Sequence, residues 1–109
     1  MKVSVAAVVA VLWLSANATA AADSPKPVTH KVAIEATSFQ PLAITVNAGD
    51  TIVWTNKDPF PHTATSKAGG FDSGLMMPDK TWRYRPTKKG EFAYLCTYHP
   101  TMTATLRVK

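Results

Sequence analysis

Apolar and polar residues alternate along most of this 109-residue chain, and this alternation limits its fold more than any other feature. A period of two is typical of β-strands that bury one face. The segments with this pattern, or with many β-branched and aromatic residues, are 28–36, 42–46, 51–56, 63–66, 81–85, 91–96 and 103–109. No segment keeps a helical period, although helical turns within 67–79 remain an alternative. The sequence therefore predicts an all-β fold, an antiparallel Greek-key β-sandwich of about seven short strands.

The N-terminus has the composition of an export sequence. A lysine at the second position precedes the apolar run 3–14, and small residues follow as far as Ala22. This pattern predicts a signal peptide at residues 1–22, cleaved after Ala20 or Ala22, and export of the remaining domain at 23–109. The twelve apolar residues are fewer than the roughly 20 that span a bilayer, so we expect no stable membrane insertion after cleavage.

The inventory of reactive side chains is small, with one cysteine and three histidines. A single cysteine excludes an intramolecular disulfide and a four-cysteine zinc site, and three histidines exclude an enzyme with several His-rich metal centres. The formal net charge of +5 falls to +4 when Lys2 leaves with the signal peptide. The basic residues are spread along the chain, and an exported protein does not meet nucleic acid. We therefore expect no nucleic-acid binding. The basic residues are expected mostly to form a solvated face, and a docking surface for an acidic partner is the more specific interpretation.

A thiol, an imidazole and a thioether lie within seven residues, at Cys96, His99 and Met102. Cys96 continues the alternation of Phe92 and Tyr94, so we expect its side chain inside the rim of the sandwich. This spacing lets a tight loop direct all three side chains to one point. Met102 has a second interpretation, because methionine also fills gaps in cores.

His62 lies thirty-four positions before Cys96, in a second loop that can meet the first at the same end of a sandwich. It would complete a set of two imidazoles and a thiolate with a weaker thioether, which is the ligand pattern of blue-copper electron-transfer sites. Zinc gains little from a thioether, whereas calcium and magnesium prefer oxygen ligands. Copper is therefore the metal that best matches these residues.

The chain resembles the cupredoxins, the small type 1 blue copper proteins of the plastocyanin, pseudoazurin and amicyanin group. The resemblance runs from 47–56 through 61–63 to 90–96 and the ligand loop, and the Cys-x2-His-x2-Met spacing is most similar to amicyanin. It implies a cupredoxin-like sandwich and one-electron transfer between periplasmic proteins by Cu(I)/Cu(II). Carried over by position, the copper ligands are His62, Cys96, His99 and Met102.

The resemblance also implies partners, namely a dehydrogenase and a c-type cytochrome, for a monomer that is not itself an enzyme. The alternative is a periplasmic copper carrier or sensor that binds copper without redox turnover. The sequence departs from many relatives at Thr63, where they have Asn after the first ligand, and at Ala104, where they have Gly. We expect the Thr63 hydroxyl to make a similar bond between the two ligand loops. The edge of His99, ringed by Phe60, Pro61 and Pro100, is the predicted electron port.

Overall fold

The computed structural model describes residues 10–11 and 26–109. Apart from residues 10 and 11, the predicted signal peptide lies outside the described residues. The described part of the chain forms nine β-strands and no helix, so it has no helix long and apolar enough to cross a membrane. The strands are β1 (Thr29–Glu35), β2 (Ser38–Gln40), β3 (Ala43–Val46), β4 (Thr51–Asn56), β5 (Thr65–Ser66), β6 (Phe71–Asp72), β7 (Thr81–Tyr84), β8 (Gly90–Cys96) and β9 (His99–Val108).

Two sheets form the sandwich, with strand orders β2-β1-β4-β7 and β3-β9-β8-β5-β6. The predicted all-β sandwich is confirmed, but the expectation of purely antiparallel sheets needs correction. β1 pairs with β4, and β3 pairs with β9, in parallel. Parallel neighbours need a connection that crosses over. Here the chain leaves the first sheet after β2, adds β3 to the second sheet and returns as β4 beside β1, so both sheets are mixed.

The alternation of the sequence places the core between the sheets. Phe92, Tyr94 and Cys96 all point inward from β8, as predicted, and Trp54 is fully buried on the facing sheet. The indole N–H of Trp54 donates a hydrogen bond of 3.3 Å to the Tyr94 hydroxyl, which satisfies both buried polar groups. Burial raises the pKa of Tyr94 to about 12, although the bond from Trp54 opposes this shift.

Several strand ends differ from the predicted segments, and two short strands were not predicted. β1 ends at Glu35 because Ala36 and Thr37 take positive φ angles of 52° and 56°, which turn the chain into β2. β2 and β6 were not predicted, since runs of three and two residues are too short to show a period. β9 begins at His99, so the predicted ligand loop shrinks to the turn formed by residues 97 and 98.

A buried carboxylate joins the starts of the parallel strands β1 and β4. Asp50 accepts hydrogen bonds from the backbone N–H groups of Val28 and Asn47, each at 3.0 Å, and its Oδ2 lies 2.9 Å from Nε2 of His30. The bond to His30, followed by the two backbone bonds, lowers the pKa of Asp50 from 3.8 to about 2. The ionised form is therefore the one that stabilises this end of the sandwich.

We expect this carboxylate to make folding sensitive to acid. A lowered pKa in the folded state contributes stability that is complete above the unfolded value of 3.8 and is lost as the pH falls towards about 2. Urea unfolding between pH 5 and pH 2, monitored by tryptophan fluorescence, should show a steeper loss of stability for the parent than for Asp50→Asn. Glu91→Gln removes the same charge from an exposed site on β8, so its free energy of unfolding should depend on pH as steeply as that of the parent. Equal slopes for all three proteins would contradict this role.

Candidate metal centre

Three of the four predicted ligands meet at one end of the sandwich. Cys96 is the last residue of β8 and His99 is the first residue of β9, and the two face each other across a two-residue turn. His62 comes from the connection between β4 and β5, where it forms an isolated antiparallel bridge with Met76. One possible donor atom from each of these three residues lies within 4.8 Å of the others. The tertiary structure therefore assembles the donors that the sequence separates by thirty-four positions.

The imidazole of His62 is fully buried and held in one orientation. Its Nε2 lies 2.7 Å from Oδ2 of Asp58, and its backbone exchanges hydrogen bonds of 3.1 and 2.8 Å with Met76. Because an ionised carboxylate only accepts hydrogen bonds, Nε2 of His62 carries the proton of this contact, and Nδ1 is the ring nitrogen left to face a metal. That Nδ1 lies 3.6 Å from Sγ of Cys96.

Asp58 is itself fixed by the turn between β1 and β2. Its two carboxylate oxygens accept hydrogen bonds from the consecutive N–H groups of Ala36 and Thr37, at 2.7 and 2.9 Å. Burial would raise the pKa of Asp58, but the bonds from Thr37, His62 and Ala36 outweigh it and hold the pKa below its ordinary value. Asp58 is thus a buried anion that aims His62.

Sequence reasoning did not single out Asp58. It lies four residues before His62, but in an irregular connection this spacing implies no fixed geometry. Its partners Ala36 and Thr37 lie more than twenty positions away, at a turn that no pattern marks.

Two imidazole nitrogens and one backbone N–H group lie close to the sulfur of Cys96. Nδ1 of His99 lies 3.7 Å from Sγ, close to the 3.6 Å of His62, and the N–H of Thr63 donates to Sγ at 3.3 Å. Cys96 is fully buried, whereas His99 is half-buried. Thr63 also fulfils the expectation of a link between the loops, because its hydroxyl accepts a bond of 2.9 Å from the N–H of Thr97.

These separations fit a metal ion. Zinc, for example, binds imidazole nitrogen at about 2.0–2.1 Å and thiolate at about 2.3 Å, and a trigonal arrangement with bonds of this length separates the two atoms by about 3.7 Å. The observed distances of 3.6 and 3.7 Å match this value for both histidines.

Met102 is buried on the inward side of β9, three residues after His99, and belongs to the same core cluster as Cys96. This position is consistent with both interpretations of the sequence, a weak fourth ligand and a core residue. Its role as a ligand stays a prediction. Met76, the bridge partner of His62, is also buried, whereas Met77 is exposed.

The outer edge of His99 lies in an apolar depression. The depression is lined by Phe60, Pro61, Leu75, Tyr98 and His99. The Phe60 ring contacts both imidazoles, with centroid distances of 5.1 Å to His62 and 5.9 Å to His99. Three side chains of this depression are largely exposed, at 40% for Phe60, 52% for Leu75 and 60% for Tyr98. The surface over the candidate metal centre is therefore apolar and open to solvent.

Comparison with known proteins gives a consistent assignment. Residues 4–108 match the family model of the cupredoxin-like domain. The chain is 30% identical to amicyanin of Paracoccus versutus over 95 residues, covering 83% of this chain and 71% of that protein. It is 26% identical to amicyanin-alpha of Methylorubrum extorquens over 111 residues, covering 97% of this chain and 93% of that protein.

Solved structures share the fold. An oxidised amicyanin variant superposes with a TM-score of 0.68 at 23% identity, covering 73% of this chain and 81% of its own. A Cu-containing nitrite reductase from Thermus scotoductus gives the same TM-score at 29% identity, but the match covers 79% of this chain and only 23% of the reductase. The family match spans nearly the whole sequence and agrees with a β-sandwich that brings two histidines and a cysteine together. The chain therefore belongs to the cupredoxin-like family.

Proposed function

We propose that this protein is a periplasmic type 1 copper protein that carries single electrons between redox partners. The observation that carries the proposal is the approach of two imidazole nitrogens to the one buried thiol sulfur, at 3.6 and 3.7 Å. The proposed ligands are His62, Cys96, His99 and Met102. A copper ion bound there supplies a Cu(I)/Cu(II) couple, which thiolate, thioether and imidazole donors support.

The protein's own residues keep the donors in place. His62 is held at its ring by Asp58 and at its backbone by Met76, and Cys96 ends a seven-residue strand paired on both sides. Donors that move little between two oxidation states lower the barrier to electron transfer, because less of the surrounding structure has to rearrange. This rigidity supports an electron carrier more than a carrier of metal, since buried ligands also slow exchange of the ion.

His99 is the proposed electron port. It is the half-buried ligand, and its edge lies in the apolar depression of Phe60, Pro61, Leu75 and Tyr98. An apolar rim lets a partner exclude water and approach the ring closely. Pro100, which the sequence analysis also expected around this edge, is exposed next to His99 but is not among the residues that line the depression.

The setting and partners are further parts of the proposal. The N-terminal residues 1–22 support export with cleavage after Ala20 or Ala22, and hence a periplasmic domain at 23–109. Resemblance to amicyanin supports a dehydrogenase and a c-type cytochrome as partners of a monomer that is not an enzyme. A copper carrier or sensor without redox turnover remains the alternative, and the spectrum of the loaded protein separates the two.

The first prediction concerns that spectrum. Protein loaded with Cu(II) should be blue, with an intense red absorption from the thiolate bond and the narrow copper hyperfine splitting of a type 1 site in spin resonance. Cys96→Ala should lose both features, because it removes the only thiolate. Colourless protein that exchanges Cu(I) readily would favour the carrier, and a Cys96→Ala spectrum equal to the parent's would refute the site.

The second prediction concerns Asp58. Asp58→Asn should weaken Cu(II) binding about tenfold, at the low end of the 10- to 100-fold loss found for groups that orient metal ligands. The amide replaces one acceptor oxygen by a donor, although Ala36, Thr37 and His62 all need acceptors. Chelator competition measures the affinity, and Glu35→Gln, an exposed acid at the end of β1, is the control. An affinity equal to that of the control would show that Asp58 does not orient His62.

The third prediction concerns the port. Leu75→Glu should slow electron self-exchange between oxidised and reduced protein about tenfold, because two like charges then meet at the contact. The visible spectrum should not change, since Leu75 is 52% exposed and is not a proposed ligand. Leu42→Glu is the matched control, an exposed leucine outside the depression with the same change in net charge. NMR line broadening gives the rate, and equal rates for both variants would place the port elsewhere.

A further inference from the structure

We propose that Thr65 and Asp72 are positioning residues of the metal centre, which act through a chain of threonine hydroxyls that holds the two ligand loops together. The threonine chain is defined as Thr97, Thr63 and Thr65, ending on the carboxylate of Asp72. Its effect on copper rests on the proposed function, whereas its effect on the loops does not. Neither Thr65 nor Asp72 adjoins a proposed ligand in sequence.

Consecutive hydrogen bonds connect all members of the threonine chain. Thr97 Oγ1 lies 3.2 Å from Thr63 Oγ1, which lies 2.9 Å from Thr65 Oγ1. Thr65 Oγ1 in turn donates to Oδ1 of Asp72 at 3.0 Å, across the short hairpin of β5 and β6 where the two residues pair directly. Oδ1 of Asp72 also accepts the N–H of Gly74 at 2.9 Å, which fixes the end of the chain.

The carboxylate decides the direction of every bond. An ionised carboxylate only accepts, and a hydroxyl has one proton to donate. The proton of Thr65 goes to Asp72, so the proton of Thr63 must go to Thr65. The proton of Thr97 must then go to Thr63. All three hydroxyls therefore point towards Asp72.

This direction leaves the oxygen of Thr63 free to accept from the ligand loop. It receives both the hydroxyl proton of Thr97 and the backbone N–H of Thr97, the latter at 2.9 Å. Thr97 follows Cys96 directly, and Thr63 follows His62 and donates its own N–H to the sulfur of Cys96 at 3.3 Å. The threonine chain therefore helps to fix the positions of two proposed ligands and the hydrogen bond to the sulfur. Hydrogen bonding at this sulfur tunes the reduction potential of a copper site.

The test begins with metal-free protein, so that its result does not depend on copper. In Thr65→Val the Thr63 hydroxyl loses its acceptor, and amide hydrogen exchange at Thr97 should become about fivefold faster or more. Thr65→Ser keeps the hydroxyl and should return exchange to near the parent rate. Thr55→Val, a half-buried strand threonine on the other sheet, controls for loss of a hydroxyl and should match the parent. Asp72→Ala repeats the test from the far end of the chain.

Unchanged exchange at Thr97 in both Thr65→Val and Asp72→Ala would overturn the inference, as would equal rates for Thr65→Val and Thr65→Ser. Copper-loaded proteins give the second readout. Thr65→Val should shift the reduction potential and the copper hyperfine splitting, and Thr65→Ser should restore both.

Faster amide exchange at Thr97 with an unchanged potential and an unchanged hyperfine splitting would show that the threonine chain only supports the loops, and it would refute the positioning role. Parent protein without a thiolate absorption would refute the proposed function, while exchange at Thr97 would still decide whether the chain holds the loops.

Discussion

The buried carboxylate of Asp58 joins two parts of the fold at the metal centre, the turn after β1 and the connection between β4 and β5. It accepts the N–H groups of Ala36 and Thr37 from the turn after β1, and it accepts the ring N–H of His62. A buried charge is unfavourable unless hydrogen bonds satisfy it, and these three donors supply that compensation. The same bonds leave Nδ1 of His62 facing the sulfur of Cys96. The site therefore depends on a residue that is not itself one of the proposed ligands.

The rest of the sandwich brings the remaining donors to this point. β8 and β9 are neighbours in the second sheet, so the turn between them sets Cys96 beside His99. β4 belongs to the first sheet, and the chain leaves its end to reach His62 and then β5 in the second sheet. The centre thus lies where the chain passes between the two layers. Hydrogen bonds from Thr63 to Cys96 and from Thr97 to Thr63 join the ligand loops directly.

Local pattern was a reliable guide where a strand buries one face over several residues. The inward positions of Phe92, Tyr94 and Cys96 follow from a period of two, and β4 occupies the predicted segment 51–56 without change. The pattern was insufficient for β2 and β6, which are too short to show a period. It also did not reveal the parallel pairing of β1 with β4, because the direction of a neighbouring strand leaves no mark on the alternation within either strand.

The sequence by itself determined the class of fold, the burial of Cys96 and the kinds of donor atom available, since these depend on side-chain chemistry and on a period of two. Three of the predicted ligands then met as expected, at His62, Cys96 and His99. Only the tertiary structure decided which nitrogen of His62 faces the sulfur, because Asp58 is directed by the distant turn at Ala36 and Thr37. It alone also aligned the hydroxyls that run from Thr97 to Asp72. The bonds from this turn to Asp58 and from Thr97 to Thr63 join residues more than twenty positions apart, and their geometry exists only after the sheets have packed.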